Sequence, residues 1–170
     1  MTDAVTTIRP EASGDRAAVH ALNAAAFETR AEADLVDRLR EQAEGYIGLV
    51  AEQGGEIVGH IAFSPVTLAP AHPHLDVRGL APMAVAPGRQ RQGVGSALVR
   101  AGLDACQASG ADAVVVLGHP AYYPRFGFAS GALACAYDVP PEAFMALALT
   151  PGALKGVAAT AHYHPTFGEL

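Results

Sequence analysis

"APGRQRQGVGSALVRAG" spans Ala86 to Gly102, and its reading decides the rest. The nine residues from Gly88 to Ser96 hold three glycines, two arginines and two glutamines around one valine and one serine. Glycines let a backbone come close to a ligand because no Cβ stands in the way. Arginines attract anions. The residues that follow, "GVGSALVRAGLDACQASG" (93–110), place Val94, Ala97, Leu98, Ala101 and Ala105 on one helical face, and Gly110 can stop that helix in a left-handed conformation. The loop therefore opens a helix. Unpaired N–H groups and the positive end of the helix dipole make such a position favourable for phosphate.

Two familiar phosphate-binding designs fail here. The nucleotide-triphosphate loop needs a lysine after its second glycine. Gly88 and Gly93 have the right spacing, but Val94 stands in the lysine position. The dinucleotide fingerprint needs G-x-G-x-x-G. Gly93 and Gly95 fit, but Leu98 stands where the third glycine should be. Each design breaks at a residue that carries its mechanism.

Outward from the loop, the chain reads as one α/β domain covering residues 1–170, about the usual length of one. "VTTIRP" (5–10) predicts a strand. "DRAAVHALNAAAF" (15–27) predicts a helix with Asp15 at its start, and "EADLVDRLREQ" (32–42) a second helix. "YIGLVAEQGGEIVGHIAFSPVTL" (46–68) reads as a hairpin turning at Gly54-Gly55. The segment 72–87 starts irregularly and becomes a strand. "DAVVVLG" (112–118) reads as a strand covered on both faces. "PAYYPRF" (120–126) suggests a short helix or turn. "GALACAYDV" and "GVAATAHYH" read as two final strands separated by "PPEAFMALAL". The unit over 80–118 should be a right-handed parallel crossover, with its ligand at the C-terminal ends of the strands.

Composition excludes several classes. Hydrophobic residues make up 51% of the chain, enough for a full core, yet no run of eighteen apolar residues suggests a membrane span. The start, "MTDAVTTIRP", lacks the apolar centre of an export signal. Cys106 and Cys135 form no disulfide framework and read as core residues of a protein in a reducing, cytoplasmic setting. The net charge of −6 argues against general nucleic-acid binding. Residues 1–56 hold eleven acids and five arginines, whereas Arg78, Arg89, Arg91 and Arg100 lie between Asp76 and Asp104 with no acid among them. An acidic chain thus keeps its glycine-rich segment cationic. His72-x-His74 and His162-x-His164 could each put two imidazoles on one strand face, but no suitably spaced Cys, Asp or Glu completes either pair. No metal is expected.

Gln90-x-x-Gly93-x-Gly95, after a strand ending in "MAVAP" and opening a helix, resembles the acyl-CoA signature of the GNAT superfamily of N-acetyltransferases. "GLAPMAVAP", "AVVVLGHPAYYPRFGF", "YDVPPEAFMALAL", "ETRAEADLVDRLR" and "GLVAEQGGEIVGHIAFSPV" resemble one bacterial branch of that family, so the likeness covers most of residues 1–165. It implies a GNAT-like α/β fold whose mixed central sheet has splayed parallel central strands and flanking helices. It implies acetyl-CoA as co-substrate, with CoA contacts from Gln90, Arg91, Gln92, Gly93, Val94, Gly95 and Ser96. By the same likeness the strand residues Met83, Ala84 and Val85 pair with the pantetheine arm. Pro82 cannot donate to a ladder, so it belongs at an edge or bulge, compatible with a splayed strand.

Acetyl transfer to an amine needs a polarised carbonyl, a deprotonated amine and a protonated leaving thiolate. Tyr123 lies four residues ahead of Gly127-Phe128, as the family's general-acid tyrosine does, and a phenol is protonated at neutral pH. Tyr122 reads as packing. Glu32 is the preferred base because the family's first two helices border the acceptor, with Glu28, Asp76, His74 or a water chain as alternatives. His119 stands where the branch usually has an acidic residue, and it reads as a turn residue ahead of Pro120. The expected partner is a small-molecule or peptide primary amine. The acidic first third hints at a cationic one. A homodimer is compatible with all of this. The competing reading is a catalytically weak acyl-CoA-binding sensor or regulatory module.

Overall fold

The computed structural model describes residues 5–168. Nine strands and three α-helices follow one another: β1 Thr6–Pro10, α1 Arg16–Ala26, α2 Ala31–Gln42, β2 Ile47–Gln53, β3 Glu56–Ala69, β4 Val77–Val85, α3 Val94–Ala108, β5 Ala113–Leu117, β6 Ala129–Ser130, β7 Ala134–Cys135, β8 Phe144–Ala148 and β9 Thr160–His162. The sheet runs β1-β2-β3-β4-β5-β8-β6, with β9 bridging β3 and β7. β4 and β5 are its parallel central pair, and their connection carries α3.

The hairpin turns where expected, with Gln53 opposite Glu56 and both Gly54 and Gly55 at positive φ. That combination is the turn that two-residue hairpins favour. Helix α3 stops at Gly110, φ +95°, and the Ala111 N–H returns to the Cys106 carbonyl at 3.0 Å. Its buried face is Val94, Leu98, Val99, Gly102 and Cys106, one position further round than the small-residue pattern indicated. Cys106 lies wholly inside this core, and burial pushes its thiol up to about 12, which keeps it neutral and inert. Asp15 does precede α1, but its carboxylate accepts from the Ala12 N–H at 2.7 Å and pairs with Arg9 rather than capping the helix.

The C-terminal region differs from expectation. The ladder next to β5 is β8, Phe144–Ala148, inside the segment read as a separator. The two segments read as full strands contribute only the short β7 and β9, paired with each other. The run "FMALA" is apolar throughout because β8 lies between β5 and β6 and is covered there.

One constraint positions the site. β4 pairs with β5 only from Val77↔Ala113 to Leu80↔Val116. Beyond that point Ala81 and Pro82 together face Ala62 of β3, a bulge that turns β4 away. The proline thus sits at a bulge, and among the described residues no strand pairs with the β5-facing edge of β4 from Ala81 to Val85.

The packing of α3 on the sheet depends on Gly102. A Cβ there would fall 2.4 Å from Phe63 Cε2, and Phe63 is fully buried. Gly102→Ala should therefore destabilise by about 1–3 kcal/mol through overpacking. Gly14→Ala, which meets no atom within 4 Å, should change stability by less than about 0.5 kcal/mol. Urea unfolding checks both; equal midpoints for the two variants would contradict this packing.

Candidate functional site

The loop after β4 begins with a 3₁₀ turn over Pro87–Arg89. Arg91 then adopts φ +64° and Gly93 φ +84°, and α3 starts at Val94. Ala97 donates the first helical hydrogen bond, to the Gly93 carbonyl at 3.0 Å. The preceding N–H groups of Val94, Gly95 and Ser96 have no place in that ladder and face outward. Two left-handed residues so close together wrap the backbone around an anion-sized space.

A cavity of about 510 Å³ opens there. Met83, Val85, Gln90, Arg91, Gly93, Val94, Gly95 and Ser96 line it, all expected from the sequence. Ala84 and Gln92 are not in its wall. Ala84 is buried with its side chain on the other face of β4, and Gln92 points outward at the rim. The same wall holds Arg89, Tyr122 and Arg125, which the sequence reading did not assign to it. For Tyr122 and Arg125 the signal was present in "YYPRF": they are three apart, and the guanidinium stacks 4.4 Å above the Tyr122 ring. Tyr122, read as packing, instead bonds Ser96 Oγ through its hydroxyl at 2.9 Å.

Gly95 is where these groups converge. A Cβ on it would stand 3.5 Å from Tyr122 Oη, 3.6 Å from Met83 Cε and 3.7 Å from Val85 Cγ2. The loop is tied on both flanks. Arg89 donates to Gln53 Oε1 at 2.7 Å, and Gln90 donates to the Val85 carbonyl at 3.3 Å. The cationic groups at the opening are Arg89, Arg91 and Arg125.

Tyr123 lies behind Tyr122, 7% exposed, with its ring edge-on to Tyr122 and Phe128. A Cβ on Gly118 would fall 2.3 Å from its Cε2, so the phenol lies against the backbone just past the end of β5. Burial, aided by the neighbouring Tyr122, pushes its hydroxyl up to about 12. His119 is an exposed turn residue whose carbonyl accepts from the Tyr122 N–H at 3.0 Å.

The acids sort by surroundings. Glu32 stands in the first turn of α2, half-buried, with Oε2 enclosed and unpartnered. Glu28 is exposed. Asp76 is clamped by Arg78 at 2.6 Å at the start of β4, the end away from the splay. His164 is occupied in capping, accepting from the Thr166 N–H at 3.2 Å. The sequence reading missed a buried group on the opposite sheet face. His60, wholly buried, contacts Glu11, which also holds Arg40 and Tyr46. Its signal was a histidine set inside the apolar run "EIVGHIAF".

Residues 16–128 match the acetyltransferase (GNAT) family. The chain is 40% identical to the uncharacterized N-acetyltransferase YhbS of Escherichia coli K12, over 96% of this chain and 99% of that one. The crystal structure of E. coli YhbS in complex with CoA superimposes with a TM-score of 0.91 at 37% identity, covering 100% of this chain and 96% of that one. A GNAT acetyltransferase from Brucella melitensis in complex with acetyl-CoA gives 0.80 at 34% identity, covering 97% and 99%. Likeness at this identity and coverage extends to the sequence as well as the shape, and the chain belongs to the acetyltransferase (GNAT) family.

Proposed function

We propose that this protein transfers an acetyl group from acetyl-CoA to a primary amine, by direct attack within a ternary complex and with no metal. The observation that carries the reading is the empty edge of β4 above the cationic loop. An extended pantetheine arm can lie along that edge as a strand would, with its pyrophosphate over Gly93–Ser96. Gln90, Arg91, Arg89 and Arg125 then border the phosphates, and Ala84 and Gln92 contribute backbone at most. The backbone N–H groups of β4 near Met83 are aimed at the thioester carbonyl as it becomes an oxyanion.

Tyr123 is the proton donor to the departing thiolate. Its ring lies at the end of β5, across the gap from Met83. The raised pKa suits this role, because the hydroxyl stays protonated throughout the range in which amines lose their protons. The acceptor approaches from the side of α1 and α2, where Glu32 offers a carboxylate. The acidic first third of the chain favours a cationic amine. Two unpaired cysteines suit a cytoplasmic protein. The sensor reading shares the loop and differs in turnover alone.

The deciding experiment is acetyl-CoA turnover, read as free thiol, over a panel holding an alkyl monoamine, a polyamine, an aminoglycoside and a peptide N-terminus. Turnover with at least one is expected. CoA bound with no turnover on any amine would favour the sensor.

Calorimetry should find CoA binding and no ATP or NAD binding, with affinity falling as salt rises. Gly93→Val should remove most of the affinity, since φ +84° strains a branched residue and its methyls enter the phosphate space. Normal CoA binding by that variant would relocate the phosphate.

Tyr123→Phe should lower turnover by roughly 10²–10⁴-fold and leave CoA affinity nearly unchanged. Wild-type activity should rise with pH as the amine deprotonates. It should not decline through Tyr123 until the pH nears about 12, because the raised pKa retains the proton. Tyr122→Phe loses the bond to Ser96 and should weaken CoA binding rather than the chemical step. Full turnover by Tyr123→Phe with chemistry rate-limiting would return Tyr123 to a packing role.

A further inference from the structure

The amine must lose a proton, and the sheet face beneath α1 holds a group arranged to take one. We infer that His60, oriented by Glu11, is the general base that accepts the proton of the incoming amine. This rests on the acetyl-transfer reading above and assigns to His60 the role for which Glu32 was the preferred residue in the sequence analysis.

His60 lies in β3 directly opposite Ala84, one residue from the Ile61↔Met83 pair. Its ring is wholly buried. Nε2 lies 3.1 Å from Glu11 Oε1. The other oxygen of Glu11 accepts from Arg40 Nε at 2.7 Å, and Oε1 also accepts from the Tyr46 hydroxyl at 2.8 Å. Burial alone would raise the Glu11 pKa, but the hydrogen bonds from His60 and Tyr46 and the charge of Arg40 outweigh it and hold it at about 2. An ionised carboxylate only accepts. The Nε2 of His60 must therefore carry the hydrogen, which leaves a lone pair on Nδ1. That atom is buried and has no hydrogen-bond partner among the described residues. A carboxylate that fixes one imidazole nitrogen as donor and frees the other as acceptor is the arrangement by which enzymes prepare a histidine base.

The same sheet face holds other lone pairs without donors. Ser64 Oγ, four residues along β3 and so on the same side as His60, is buried and unpartnered. Ser64 pairs with Gly79, and the ring of Tyr163 lies over Gly79. Asn23 Oδ1 is unpartnered on α1, which packs on β3 and β4. Buried polar atoms are rarely left unpaired. Asn Oδ1 and His Nδ1 can only accept here, and hydroxyls can. An ammonium N–H, a donor with no acceptor of its own, meets the need of His60 Nδ1, whereas Ser64, four residues or about 13 Å along β3, is too far to share the same ammonium. The charged and titratable groups around the ring are Glu11 from the segment after β1, Tyr46 ahead of β2 and Arg40 from α2 behind Glu11. α1 presents the neutral Val19, Leu22 and Asn23, and β4 presents Ala84.

In the step, a proton leaves the ammonium for His60 Nδ1, directly or through one water, and the freed nitrogen pair forms the C–N bond. As the C–S bond breaks, the thiolate takes the Tyr123 proton, and the second nitrogen proton passes through water to the Tyr123 phenolate and restores it. The imidazolium is stabilised by Glu11 and returns its proton to solvent after the amide leaves. Glu11 is a positioning residue.

Two measurements on the full chain test this. The first uses CoA-bound, ¹⁵N-histidine-labelled protein and needs no acceptor. His60 should be the Nε2–H tautomer, and Glu11→Gln should disturb it. An Nδ1–H ring would overturn the proposal. The second is the pH dependence of kcat/KM for the fastest amine of the panel at saturating acetyl-CoA. His60→Gln keeps a donor for Glu11. It should lose roughly 10²–10⁴-fold at neutral pH, with the deficit shrinking as pH rises and the ammonium deprotonates unaided. Its CoA affinity and melting temperature should stay near wild type. Glu11→Gln should lose less. A deficit that is equal at every pH, or one that follows Glu32→Gln instead, would overturn the assignment. A wild type silent on every amine would refute the transfer reading itself, a result separate from an active wild type matched by an active His60→Gln.

Discussion

Everything at the site follows from β4 parting from its neighbour. For four residues it pairs with β5 as an ordinary parallel strand, and then the bulge at Ala81 and Pro82 turns it away. A strand edge inside a sheet normally invites a partner strand. Here the gap is kept open by geometry on both sides. Pro82 fixes the bulge, and the Tyr123 ring fills the space beside Gly118 at the end of β5. The result is an unpaired backbone edge inside the sheet rather than at its rim, and it can be completed by an extended ligand arm.

Charge is distributed to match. Glu28, Glu32, Asp34, Asp37 and Glu41 lie on or between α1 and α2, and Arg89, Arg91 and Arg125 gather at the opening of α3. Each face of the parting strands therefore has its own electrostatic character, cationic for an anionic cofactor and rich in carboxylates and lone pairs for an amine. Helix dipole and arginines act in the same direction at the loop.

The parts of this arrangement that are local in sequence were legible there. The hairpin at Gly54-Gly55, the helix stop at Gly110 and the glycine-rich loop all rest on residues within a few positions of each other. What depended on distant pairing was not. "FMALA" between two turns could not be told from a connector, because its strand character comes from lying beside β5 thirty residues earlier. Tyr122 and Tyr123 are adjacent and alike, and only the fold separates the one bonded to Ser96 from the one beneath it. His60 reads as an oddity in an apolar run until Glu11, forty-nine positions away, is folded against it.

The two tethers of the glycine-rich loop have a kinetic meaning. Arg89 fastens it to the β2–β3 hairpin and Gln90 fastens it to the end of β4, so its shape exists before any ligand arrives. Little conformational entropy is then lost when the first substrate docks. The amine side has the opposite character: its polar atoms are sealed under a helix and need that helix to give before they can be used. A ready surface on one side and a closed one on the other impose an order of addition, with the nucleotide-bearing thioester entering first and the amine following.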